Sequence, residues 1–128
     1  MWKKPCAGVN SRGIPSLHLL GIFGKREDHA LANHLLLIRY SHRIRLQAYS
    51  HRFLIEPLSG SHRRHSRPGQ LISCLDPEGK ALLTTRGLEY ELKGESLGSP
   101  SRGVSNRARE TSFQITVDGP PILLFQEL

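Results

Sequence analysis

Residues 40–69 read YSHRIRLQAYSHRFLIEPLSGSHRRHSRPG, and the fold turns on how Arg43–Ala48 within this stretch is read. Two periods compete there. Leu31, Leu35, Ile38 and His42 follow one another at spacings of four, three and four, and Leu46, Tyr49 and Phe53 extend the row. That spacing lines one face of a helix, which then runs to about residue 55 and leaves Arg39, Arg43 and Arg52 off its apolar row. Against it, Arg43-Ile44-Arg45-Leu46-Gln47-Ala48 alternates polar with apolar, the period of a half-buried strand. β-Branched residues are few here, so the expectation is helix. Glu27 and Asp28 suit its start, where negative charge is favoured, and Pro57 closes it.

The same stretch repeats itself. Tyr40-Ser41-His42-Arg43 returns as Tyr49-Ser50-His51-Arg52, followed by Ser61-His62-Arg63 and the permuted Arg64-His65-Ser66-Arg67. On a helix, an offset of nine residues rotates Tyr40 away from Tyr49 by about 180°. The copies therefore share no geometry; what they share is charge.

On the N-terminal side, residues 1–28 read as an irregular basic leader, broken by Gly8, Gly13, Pro15, Gly21 and Gly24. The leader fits a signal peptide or a mitochondrial transit segment only loosely, since Pro15 and His18 interrupt its apolar run. On the C-terminal side, Leu71–Leu75 is a short apolar run ended by Asp76-Pro77-Glu78-Gly79, the composition of a β-turn. Ala81–Thr85 follows. Leu88-Glu89-Tyr90-Glu91-Leu92-Lys93 then alternates cleanly and predicts a strand, so residues 71–93 read as a three-stranded antiparallel meander. Residues 94–111, rich in Gly, Ser, Pro and Arg, read as a flexible linker. In the terminal segment 112–128, Phe113, Ile115 and Val117 share a strand face before Asp118-Gly119-Pro120-Pro121 turns the chain into a last strand.

The expected fold is a small, single-domain α+β protein. A basic helical part comes first, and an antiparallel meander completes a core over residues 29–93. Leader and linker are disordered. Only 38% of the chain is apolar, which leaves the fold weakly held.

Charge narrows the function. Residues 1–75 carry twelve Lys/Arg against three acids, and residues 76–128 carry six against eight. Such asymmetry points to an anionic partner. Arg39, Arg43, Arg45, Arg52, Arg63, Arg64 and Arg67 lie within 29 residues, with Tyr40 and Tyr49 among them. Guanidiniums bind phosphate and tyrosines stack on bases, so low-specificity binding of RNA or single-stranded DNA is the leading expectation. The alternative is an interaction module for an acidic protein, or a weakly folded chain with no dedicated ligand site.

Other chemistry has little support. His62-x-x-His65 with Cys74 and His51 lacks the paired spacing of a zinc site, and Arg63, Arg64 and Arg67 oppose a dication there. No nucleophile elbow, phosphate-cradling loop or dinucleotide fingerprint occurs. A non-enzymatic protein with no metal and no cofactor is therefore expected. Cys6 and Cys74 read as free thiols. No apolar run approaches the roughly 20 residues a bilayer requires. Arg63-Arg64-His65-Ser66 has the spacing of a basophilic kinase target.

Overall fold

The computed structural model describes residues 16–22 and 26–128. Strand β1 (Ser16–Leu20) leads into helix α1 (Glu27–Tyr40), followed by β2 (Arg45–Tyr49), β3 (Phe53–His65), β4 (Leu71–Leu75) and β5 (Leu82–Arg86). Then come β6 (Lys93–Glu95), a 3-10 turn (Pro100–Gly103), β7 (Asn106–Arg107) and the long β8 (Ser112–Glu127). Hydrogen bonds join the strands into one mixed sheet in the order β1-β2-β3-β8-β4-β7, with β5 paired to β6 and β8. The chain divides into two compact units, one ending at Pro57 and including Leu128, the other spanning Leu58–Glu127. No helix among the described residues is long and apolar enough to cross a membrane.

The expected fold is corrected here: the protein is mostly sheet, with one long helix, and is well packed. In the first unit the helix stops at Tyr40. Ser41 caps it, donating both its N–H and its Oγ–H to the Ile38 carbonyl. Beyond it the alternation wins: Arg45–Tyr49 runs parallel to β1 in the register Ser16↔Arg45 to Leu20↔Tyr49. A helix continued through residue 55 would have left β1 without a neighbour, whereas a strand satisfies its backbone groups. Parallel strands require a crossover, and α1 provides it. Leu46 and Ala48 are buried, as are Leu37, Tyr40 and Ile44, so the crossover unit has its own core. Glu56 is buried too, and its Oε2 accepts a 3.0 Å bond from Gln47 Nε2. Of the expected leader, Ser16–Leu20 is strand; residues 1–15 and 23–25 lie outside the described residues.

In the second unit the meander is replaced by pairing through β8. β5 lies antiparallel to residues 114–118 of β8, and β4 lies antiparallel to residues 123–126. The expected turn at Asp118–Pro121 is instead a bend within one strand. Gly119 takes a φ of 114°, and Pro120 and Pro121 have no N–H to offer a ladder. The bend passes β8 from one partner to the next. One continuous core results, including Leu58, Ile72, Leu83, Phe113, Ile115 and Ile122.

The Asp76–Gly79 turn does form, held by its acid. The buried Asp76 carboxylate accepts the N–H groups of Gly79 at 3.0 Å and Ala81 at 2.9 Å. Asp76→Ala removes two charge-assisted bonds and leaves a buried N–H without its acceptor, a loss of about 2–4 kcal/mol. Urea unfolding of the variant against the parent measures it.

Residues 94–111 are not a flexible linker. Within them β7 pairs with β4, Leu97 and Ala108 are buried, and the 3-10 turn lies on β4. Nor is Leu88–Lys93 a regular strand: only Leu88 bridges, to Ala108, and ordered pairing resumes at Lys93.

Candidate functional site

The irregular segments of the second unit enclose a cleft of about 340 Å³. Cys74 from β4, Thr85 from β5, Leu88 and Leu92 form its less exposed lining, and Tyr90, Glu91, Arg102 and Asn106 bring polar groups to it. A mainly apolar recess with a few fixed polar groups is the usual form of a small-molecule site.

Local chemistry holds these groups in place. Gly87 has a φ of 87° and turns the chain out of β5. Its N–H donates to Glu91 Oε2 at 2.8 Å, closing the loop on itself. Asn106 grips the same loop from the other side. Its Oδ1 accepts the Tyr90 N–H at 3.0 Å, and its Nδ2 donates to the Tyr90 carbonyl at 2.8 Å. These bonds take the place of the ladder that the alternating sequence predicted. Ser105, just before Asn106, has a φ of 65°, the left-handed region that non-glycine residues rarely enter. Its N–H donates to Ser73 Oγ at 3.0 Å. Strain of this kind persists where surrounding bonds over-determine it, and it gathers at ligand sites. Arg102 is tied to Glu95 by a 2.6 Å ion pair and donates to the Ser96 carbonyl.

Cys74 is no nucleophile. Burial pushes its thiol up from an ordinary value near 9 to about 12, and no histidine lines the cleft. In unfolded chains the thiol ionises above about pH 9, while in the folded protein it stays protonated. The unfolded state then binds fewer protons, so stability falls as pH rises from about 9 towards 12. Between pH 8 and pH 10 the expected loss is about 1 kcal/mol. Urea titrations of the parent and a Cys74→Ser variant isolate it.

The sequence-derived basic residues fall into both units. In the first, Arg39 is exposed on the last helical turn and Tyr40 is buried; Arg43 lies 6.0 Å from the Tyr40 ring centre. Arg45 is exposed on β2, Tyr49 stacks on His18, and Arg52 lies over Phe53. In the second, Arg63 donates to Ser112 Oγ, Arg64 to the Arg63 carbonyl, and Arg67 stands 3.8 Å from Glu127. Three arginines of the expected cluster thus belong to one unit and four to the other. His62 Nε2 lies 2.6 Å from the Ser59 carbonyl, and among the described residues no three His, Cys, Asp or Glu side chains gather as a metal site would require. Ser66 Oγ donates to the Glu110 carbonyl at 2.7 Å.

Sequence reasoning missed the cleft. Its signal was present in Gly87, Gly103 and Asn106, residues suited to special backbone geometry, but Gly103 and Asn106 lay in the stretch read as a flexible linker and Gly87 in a connection between meander strands. It also passed over the carboxyl end of β1, where parallel sheets in α/β units commonly bind ligands. Arg26 and Asp28 form a 2.7 Å ion pair there, which holds the Asp28 carboxyl below its usual range. Asn33 donates to the Ile22 carbonyl.

No family model and no curated protein matches the sequence. Solved structures do match the fold. Thiamine pyrophosphokinase from Bacillus subtilis aligns with a TM-score of 0.82 at 18% identity, over 96% of this chain and 60% of that one. The Geobacillus thermodenitrificans enzyme gives 0.80 at 18%, over 97% and 59%. For Candida albicans thiamin pyrophosphokinase the TM-score is 0.75 at 18%, over 88% and 44%. The chain thus spans between 44% and 60% of the length of these kinases. These matches correct the expectation of a non-enzymatic nucleic-acid binder: the fold is one that solved enzymes carry, and nothing in the matches points to RNA or DNA.

Proposed function

We propose that the chain acts in the pyrophosphorylation of thiamin, with the second unit's cleft taking thiamin. The observation that carries this reading is the superposition on the Bacillus subtilis enzyme across 96% of the chain. The cleft supports it with an apolar lining and a polar, braced loop, in a volume of about 340 Å³. In the reaction that the kinases' name describes, the hydroxyl of thiamin attacks the β-phosphorus of a nucleoside triphosphate, and nucleoside monophosphate leaves. Catalysis of such a transfer rests largely on positioning and charge stabilisation.

The test has two stages. Calorimetric titration with thiamin is expected to give a dissociation constant between about 1 μM and 1 mM, the span of ordinary substrate affinities. Incubation with thiamin and ATP as its magnesium salt is then expected to yield thiamin diphosphate, read by oxidation to a fluorescent thiochrome and chromatography. Absence of both binding and product overturns the proposal.

A further inference from the structure

We infer that Glu91 and Tyr90 form a cation-recognition element in the cleft, taking the positively charged heteroaromatic ring of the ligand. The inference rests on the reading of that cleft as the thiamin site. Tyr90 is 70% exposed, unusual for a side chain that would stabilise the fold by burial. Its backbone is nevertheless fixed on both sides by Asn106, at 3.0 and 2.8 Å. An exposed ring on a clamped backbone is arranged for a ligand, because little ordering remains to be done when the ligand arrives.

Charge points the same way. Glu91 Oε2 is pinned by the Gly87 N–H at 2.8 Å, and a carboxylate retains further acceptor capacity after one such bond. Glu91 makes no ion pair among the described residues. The other charge lining the cleft, Arg102, is already matched by Glu95 at 2.6 Å. The cleft therefore offers a negative charge beside an aromatic face, with Leu88 and Leu92 for the flat apolar surface of a ring. A carboxylate and a π face both attract a cation. The thiazolium of thiamin is such a group: flat, aromatic and permanently charged at its quaternary nitrogen.

The experiment titrates thiamin, and its thiophene analogue with carbon in place of the quaternary nitrogen, into the parent and Glu91→Gln. Glutamine keeps an oxygen to accept the Gly87 N–H, so the loop is retained; an unchanged urea midpoint confirms it. Glu91→Gln is expected to weaken thiamin by about threefold to tenfold, while the neutral analogue changes by less than about twofold. Equal weakening of both ligands, or of neither, overturns the charge role while thiamin binding by the parent leaves the proposed function standing. A Tyr90→Leu chain that binds thiamin as tightly as the parent overturns the role of the ring. A parent that binds neither ligand overturns both readings.

Discussion

Gly103→Ala is expected to destabilise the protein by about 3 kcal/mol or more, since it forces a methyl group into a closed backbone contact. Gly103 ends the 3-10 turn and lies on β4. A Cβ there would overlap the Cys74 carbonyl oxygen and stand only 3.0 Å from Leu97 Cδ1. A flexible side chain can swing aside, but a carbonyl in the middle of β4 cannot without shifting the strand backbone. The turn must therefore lift off β4, carrying Arg102 and Asn106 away from the cleft. Gly98→Ala is the matched control. Gly98 has a φ of 71° with nothing within 4 Å, so an alanine there meets only the left-handed backbone penalty, about 1–2 kcal/mol. Urea midpoints of the two variants separate a steric clash from a conformational penalty. Equal midpoints would refute the packing assigned to the 3-10 turn.

Phe113→Ala is expected to lower stability by about 3–5 kcal/mol, the range for truncating a buried aromatic side chain. Phe113 is 1% exposed near the start of β8, with Ile115 and Val117 on the same face, each 3% exposed or less. Phe113 belongs to the same core cluster as Leu88, which lines the cleft. Truncation opens a cavity in the core that Leu88 shares, and Leu88 is part of the cleft wall. The variant should therefore unfold at lower urea, and its remaining folded fraction should bind thiamin more weakly. Phe113→Leu, which fills most of the volume, should recover part of both losses. A variant as stable as the parent would mean that this face is not the core of the unit.

These two residues mark what was legible. The alternation of Phe113, Ile115 and Val117 was readable because one face of β8 is buried and the other exposed, so local sequence carries the pattern. The helix from Glu27 and the turn at Asp76 were readable for a similar reason: acidic residues at a helix start and an Asp-Pro-x-Gly turn act on their own neighbours. Gly103 was not readable. Its role depends on a carbonyl 29 residues away in sequence, on β4.

The segment Leu88–Lys93 fails in the opposite direction. Its alternation is the cleanest in the chain, yet Asn106 takes both backbone groups of Tyr90 and leaves the loop in irregular form. Local propensity is a weak preference, and a pair of well-aimed side-chain bonds outweighs it.

By itself the sequence determined the charge asymmetry, the helix start, the turn at Asp76 and the buried face of β8, because each follows from neighbours a few residues apart. Tertiary structure alone decided that Arg45–Tyr49 is a strand, that β4 and β5 share β8, and that residues 94–111 build a cleft. The physical reason is common to all three. A backbone N–H or carbonyl must find a partner when buried, and here the partners come from distant strands: β1 for Arg45–Tyr49, β8 for β4 and β5, and β4 for β7 within residues 94–111.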